Sequence, residues 1–188
     1  MKAECVILAA GLSSRMGKNK MLLEIAGKTV IERCINAFYE SCSKIIVVTG
    51  KYHEDIKQYL MPYTKVNLVY NEDYRQGMFS SVKAGIKHVE AERFFITPGD
   101  YPLLKTDTIR HMLKTTGNYV VPVYQGEQGH PVLLDKRFIP VILASTLNSL
   151  RDCLESFSSE KQKLSVDDNG IMTDIDTMQE YNTISKGF

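Results

Sequence analysis

At 188 residues the chain is long enough for one well-buried core and short for two. Its 44% apolar and 24% charged residues are the balance of an ordinary soluble globular domain. A net charge of +1 gives no global field for nucleic acid or an anionic membrane surface, and no apolar run approaches the roughly 20 residues that span a bilayer.

The chain starts Met1-Lys2-Ala3-Glu4, with one basic and then one acidic residue before a strand-length apolar run, which does not read as a signal peptide. Cys5, Cys34, Cys42 and Cys153 are scattered and form no C-x-x-C pair. They read as reduced packing residues of a cytoplasmic protein, with no zinc or iron–sulfur ligation.

The first predicted strand, Cys5 to Ala9, runs straight into Ala10-Gly11-Leu12-Ser13-Ser14-Arg15-Met16-Gly17-Lys18-Asn19-Lys20. Small residues let backbone N–H groups approach a ligand closely, and Arg15 and Lys20 add fixed positive charge, a combination suited to a triphosphate. The loop is not a dinucleotide turn, because G-x-G-x-x-G is absent. Nor is it a P-loop, because Asn19 follows Gly17-Lys18 where Ser or Thr is required.

Helical patterns follow at Thr29–Tyr39, His53–Leu60, Ser80–Val89 and Thr106–Thr115, the last with Asp107 in its first turn. Between them, Ile45–Thr49, Val66–Tyr70, Arg93–Thr97 and Asn118–Val123 read as apolar strands buried on both faces. Beyond Glu127 the pattern loosens into a short strand at Pro131–Leu134, helices near Phe138 and Leu150, and a terminal helix at Thr177–Ser185. This alternation predicts an α/β fold: a single domain with a doubly wound, mostly parallel sheet. Ligands of such sheets sit beyond the carboxyl ends of the strands. The loop after the first strand and the turn after Thr97 both lie there, so they are expected to converge.

That turn, Pro98-Gly99-Asp100-Tyr101-Pro102, aims a carboxylate rigidly and suits Asp100 to Mg²⁺, although a solvated turn aspartate has the same sequence. In Asp174-Ile175-Asp176-Thr177, alternation in an extended segment puts both aspartates on one side. Such a pair needs a cation or a retained proton; alternatively Thr177 simply caps a helix. Asn71, Gly77, Ser80 and Ser81 surround a helix start suited to an anion or a base, or to plain capping. His130 precedes a proline, where a structural role is the usual one, and His53, His88 and His111 read as solvated.

L-A-A-G-x-S-x-R-M-G-x-x-K-x-L-L, from Leu8 to Leu23, resembles the signature loop of nucleotidyltransferases. Together with Thr97–Leu104, Asp174–Thr177, Asn71–Val82 and the Gly129-His130-Pro131-Val132-Leu133 segment, it is most similar to the molybdenum cofactor cytidylyltransferase branch of the MobA-like NTP transferases. The resemblance runs from Met1 to about Tyr181 and implies a Rossmann-like nucleotidyltransferase fold. It divides the 1–188 domain into a nucleotide-binding part, about 1–105, and an acceptor-binding and closing part, about 106–188.

The activity implied is transfer of CMP from CTP to the phosphate of a molybdopterin-type cofactor, with a molybdenum hydroxylase apoenzyme as possible downstream partner. Leu8, Ala9, Ala10, Gly11, Ser13, Ser14, Gly17, Asn71, Gly77, Ser80 and Ser81 would bind nucleotide. Arg15 and Lys20 would hold phosphates, Lys20 beside the α-phosphate. Asp100 with Asp176, then Asp174, would hold Mg²⁺, or Mn²⁺ in its place. Tyr101, His130 and Arg151 would face the acceptor, the last two holding its phosphate. Ala10, where guanylyl-transferring relatives tend to have glycine, favours a pyrimidine, a one-carbon argument worth about 1–3 kcal/mol. Alternatives are another nucleotide, a sugar or methylerythritol phosphate acceptor, or a cofactor-holding chaperone without nucleotide chemistry. A dinucleotide-dependent oxidoreductase fails on the missing fingerprint.

Overall fold

The computed structural model describes residues 3–188. β1 (Ala3–Ala9) is buried at all of its positions. The loop after it leads to a hairpin, β2 (Glu24–Ile25) and β3 (Lys28–Thr29), and then to α1 (Val30–Tyr39). Thr29 opens α1 with a reciprocal cap: its hydroxyl accepts from the Glu32 N–H, and the Glu32 carboxylate accepts from the Thr29 N–H. β4 (Cys42–Thr49), α2 (His53–Leu60), β5 (Val66–Tyr70), α3 (Met78–Ile86), β6 (Arg93–Pro98) and α4 (Thr106–Lys114) continue the alternation. The second half adds β7 (Tyr119–Tyr124), β8 (Glu127–Gln128), β9 (Val132–Asp135), α5 (Phe138–Ala144), α6 (Leu150–Leu154), β10 (Lys161–Ser165) and α7 (Met178–Ser185).

The main sheet has the order β10-β7-β9-β6-β1-β4-β5, with β8 added to β7. β9 runs antiparallel to both of its neighbours, and β8 is antiparallel to β7; the other pairings are parallel. Successive strand residues point to opposite faces. Thus Ile7, Val47 and Phe95 join α1, α2 and α4 in one apolar cluster, while Val6, Ile46 and Phe94 join α3, α5 and α6 in another. Both faces are covered, as a doubly wound sheet requires.

Some boundaries differ from expectation. The helix foreseen from Ser80 begins at Met78 and ends at Ile86, because Gly77, at φ 99°, turns the chain into it. β5 is an edge strand with partly exposed residues, paired on one side to β4, and is not buried on both faces. The β2–β3 hairpin, β8 and β10 have no counterpart in the sequence reading. All four cysteines are free and buried, and burial pushes the Cys42 thiol up to about 12, which matches their reading as packing residues. Among the described residues no helix is long and apolar enough to cross a membrane.

Candidate functional site

The loop after β1 is shaped by its own hydrogen bonds. The Met16 N–H donates to the Ser13 carbonyl at 3.1 Å, and the Lys20 N–H donates to Ser13 Oγ at 3.3 Å. Asn19 Oδ1 accepts from the Met21 N–H at 3.1 Å and caps the short 3-10 turn Lys20–Leu22. Met16, Leu23, Ile25, Val30 and Ile175 form a small apolar cluster that anchors both ends of the loop and the Asp174–Asp176 segment. Lys20 is thereby turned inward, while Arg15 stays largely exposed.

Asp100 arrives from the end of β6. The Gly99 N–H donates to the Leu8 carbonyl at 2.9 Å, and a Cβ on Gly99 would stand 2.9 Å from Ile31 Cδ1 and 3.3 Å from the Leu8 oxygen. Glycine lets this turn lie against the end of β1 without displacing the Ile31 side chain. The Asp100 carbonyl in turn accepts from the Ile175 N–H at 3.1 Å, which draws in the C-terminal segment. That segment is irregular and not a strand, yet carboxylate oxygens of Asp100, Asp174 and Asp176 lie within 4.8 Å of one another. Thr177 caps α7 in a reciprocal pair with Glu180, so the capping role falls to the threonine and leaves both aspartate side chains to the site.

Lys20 Nζ sits 2.5 Å from Asp100 Oδ2 and 2.8 Å from Asp176 Oδ1, and an Arg15 guanidinium nitrogen is 2.9 Å from Asp176 Oδ2. Burial pulls the Lys20 pKa down, but the charge and hydrogen bond of Asp100, then those of Asp176, outweigh it and the net direction is up. The Lys20 hydrogen bond lowers Asp176 against its desolvation. Asp174 moves the other way, raised by burial and by its two carboxylate neighbours. Asp100 Oδ1 is buried without a hydrogen-bond partner. Three hard oxygen donors with one unsatisfied oxygen fit Mg²⁺ or Mn²⁺.

A cavity of about 500 Å³ opens over this centre. It is lined by Leu8 from the end of β1, by Ala10, Gly11, Ser13, Ser14, Arg15 and Lys20 from the loop, by Gly77 and Ser81 from the start of α3, and by the three aspartates. A Cβ on Gly11 would meet no protein atom within 4 Å, so the room there is open to a ligand. Ala9, Gly17, Asn71 and Ser80 do not line it. Asn71 stands behind the wall, where its Nδ2 donates to Ser80 Oγ at 2.9 Å and Ser81 Oγ at 3.0 Å and fixes the α3 start.

A second cavity of about 460 Å³ adjoins the first, and Leu8, Met78, Pro98, Tyr101 and His130 line both. Tyr101 and His130 meet edge to face at 5.1 Å, and Arg151 lines the second cavity, so the three expected acceptor residues share one wall. Burial, then the charge of Arg151, lowers the His130 pKa to about 4, and its Nδ1 has no partner. The His130 ring thus favours its neutral form, in which one ring nitrogen still carries a proton to donate to an acceptor phosphate. Sequence reasoning missed Tyr119, Gln128, Asn148 and Lys161 on this wall. Lys161 opens β10, whose Lys161-Gln162-Lys163-Leu164 is polar at three of four positions and carries no strand signal to separate it from a loop.

Residues 5–163 match the MobA-like NTP transferase domain. Over a 188-residue alignment, covering 98% of this chain and 96% of the relative, the chain is 32% identical to the molybdenum cofactor cytidylyltransferase of Escherichia coli (strain K12). It is 31% identical over 119 residues to a probable molybdenum cofactor guanylyltransferase of Aquifex aeolicus (strain VF5), covering 63% of this chain and 55% of that one. A solved nucleotidyl transferase from Methanothermobacter thermautotroptrophicus superimposes with a TM-score of 0.86 at 20% identity, over 99% of this chain and 97% of that one. Rv0371c from Mycobacterium tuberculosis H37Rv, solved in complex with manganese, gives 0.79 at 19% identity over the whole of both chains. At these identities the solved structures speak for the fold alone.

Proposed function

Because this chain belongs to the MobA-like NTP transferase family and is a nucleotidyltransferase, we propose that it transfers CMP from CTP to the phosphate of a molybdopterin-type cofactor, releasing pyrophosphate. The observation that carries this reading is the pair of adjoining cavities, which meet at Tyr101 and His130 beside the Lys20–Asp100–Asp176 cluster. One cavity suits the triphosphate and base, the other an acceptor that must reach the same point. The near full-length similarity to a cytidylyltransferase supports CTP, as does the methyl group of Ala10, buried in the wall of the first cavity. We assign 1–105 to the nucleotide and 106–188 to the acceptor and to closure of the site, within one domain of a cytoplasmic enzyme; a hydroxylase apoenzyme would receive the product.

In the reaction an oxygen of the acceptor phosphate attacks the α-phosphorus of CTP in line. The bond from that phosphorus to the bridging oxygen breaks, and pyrophosphate leaves with the electron pair. A divalent ion held by Asp100, Asp176 and Asp174 would supply positive charge to the triphosphate and help orient it. Arg15 and the N–H groups around Gly11 and Ser13 hold the outer phosphates. Lys20, kept protonated by its carboxylates, supplies charge where it develops at the α-phosphate. Asn71 acts through Ser80 and Ser81, stiffening the start of α3 beside the nucleotide.

The test is pyrophosphate release with Mg²⁺ or Mn²⁺ and molybdopterin, with CTP, GTP, ATP and UTP in parallel. Release with CTP alone is the expected result. Release with GTP instead would keep the mechanism and remove the argument from Ala10. Tight cofactor binding without release from any nucleotide would overturn the catalytic reading in favour of a carrier.

A further inference from the structure

We propose that Lys161 and Arg151 form a second anion subsite in the acceptor cavity, for a negative group of the acceptor other than its reacting phosphate. The inference rests on the nucleotidyltransferase reading and narrows its substrate class.

Charge is the first argument. Arg151 and Lys161 line the second cavity, and no aspartate or glutamate does, whereas Asp100, Asp174 and Asp176 line the first. Among the described residues neither cation has a carboxylate at ion-pair distance; the adjacent Glu160 is taken by Arg137. The Lys161 ammonium stands 5.5 Å from the centroid of the Tyr119 ring; the charge of Glu155 and then that of Arg151 also reach Tyr119, and Arg151 reaches His130 as well. Two cations therefore bear on one corner of a cavity whose other walls include Phe79, Ile96 and Leu154. A guanidinium and an ammonium on such a wall, with Glu155 nearby but no carboxylate lining the cavity or at ion-pair distance from either, are ready for an anion.

Distance is the second. Lys161 pairs with Tyr119, Tyr119 with Leu134, and Leu134 with Phe94. Three strand steps of about 4.8 Å put Lys161 about 14 Å to the side of β6. Asp100 lies beyond the far end of β6, and at about 3.3 Å per residue Phe94 to Pro98 alone adds about 13 Å. The separation exceeds the reach of a lysine side chain, so Lys161 cannot touch a phosphate that reacts beside Asp100 and Lys20. What it binds is a different group of an extended molecule. The acceptor class is then a phosphate ester with a flat or apolar body, amide contacts to Gln128 and Asn148, and a second anionic group at its far end. A short polyol phosphate has neither the length nor the second charge.

The experiment uses the full chain as wild type, Lys161→Gln, Lys161→Arg and Arg151→Gln, with folding checked by thermal melts. Molybdopterin affinity is read from pterin fluorescence, and KM values from pyrophosphate release with CTP. Each Gln variant is expected to weaken molybdopterin binding roughly tenfold, with Lys161→Arg close to wild type, because the subsite needs charge. The KM for CTP should move by no more than about twofold in Lys161→Gln, since nucleotide contacts lie in the other cavity. Unchanged molybdopterin affinity in the Gln variants, alongside normal wild-type turnover, overturns the subsite and leaves the reaction standing. A wild type that neither binds nor turns over molybdopterin overturns the acceptor assignment and the subsite together.

Discussion

Lys20 is held between two carboxylates, and that arrangement has consequences for stability as well as for turnover. Its side chain and that of Asp100 are each only about a tenth exposed, at 11% and 12%. Without the ammonium, Asp100, Asp174 and Asp176 would face one another with only Arg15 nearby, and one partner of a mostly buried pair would be left uncompensated. Lys20→Met is therefore expected to lose about 2–3 kcal/mol in chelator, toward the lower end for broken buried pairs because water reaches the site from the cavity. Mn²⁺ should recover part of this loss, and recover more in the variant than in wild type, because the ion takes up the charge the lysine provided. Turnover with CTP should fall about 10²- to 10³-fold, the scale for losing one transition-state donor. Thermal melts with and without Mn²⁺, set beside the rate, check both halves; a variant as stable as wild type in chelator would show that the carboxylates do not need the lysine. Arg15, Lys20 and Asp100 were legible in sequence because each sits in a short motif whose geometry is local. The ion pair itself was not, since its partners are 80 and 156 residues from Lys20. The charge state of His130 was equally hidden, because it depends on burial and on Arg151 arriving from α6.

The elements divide the same way. Strands of the first half announced themselves because interior parallel strands are continuously apolar, and α1 because its pattern runs unbroken from Thr29 to Tyr39; the Thr29–Glu32 capping pair that opens it went unread. The second half was harder. β9 reads as a strand, but nothing local says that it inserts antiparallel between β6 and β7, and β10 has three exposed polar residues, Gln162, Lys163 and Ser165, on an edge. What holds this half to the site is Asp168, which sequence reasoning passed over within Val166-Asp167-Asp168-Asn169-Gly170. It is 1% exposed. Its carboxylate accepts from the Lys105 N–H at 3.0 Å, the Thr108 hydroxyl at 2.7 Å and the Gly170 N–H at 2.9 Å, tying the start of α4 to the turn before Asp174. Asp168→Ala should cost about 2–4 kcal/mol, because it strands buried donors on two segments at once. Urea unfolding measures it; a loss below about 0.5 kcal/mol, the range of ordinary surface changes, would mean the carboxylate ties nothing together.

At the scale of the whole molecule, acid stability follows from the wall between the two cavities. His130 faces the Tyr101 ring from the turn after β6 and feels the Arg151 guanidinium from α6, and its backbone N–H is fixed on the Ile171 carbonyl at 2.8 Å. Burial and that guanidinium both oppose a proton on the ring, so the folded pKa of about 4 lies below the ordinary value of 6.5. Between these limits the unfolded chain binds a proton that the folded one refuses, and stability rises with pH. The contribution is therefore complete above about pH 6.5 and is lost as the pH falls toward about 4, by about 2 kcal/mol once access of water from the cavity is allowed for. Other carboxylates also titrate in acid, which makes the difference between wild type and His130→Asn the informative quantity. The Asn variant keeps a polar side chain without a titrating ring, so its melting temperature should fall less steeply between pH 6.5 and 4 and approach that of wild type at the acid end. Parallel curves across that range would show that His130 takes up its proton in the fold as readily as in the unfolded chain. In that case a cationic ring would stand at the junction of the cavities and add charge to its hold on the acceptor phosphate.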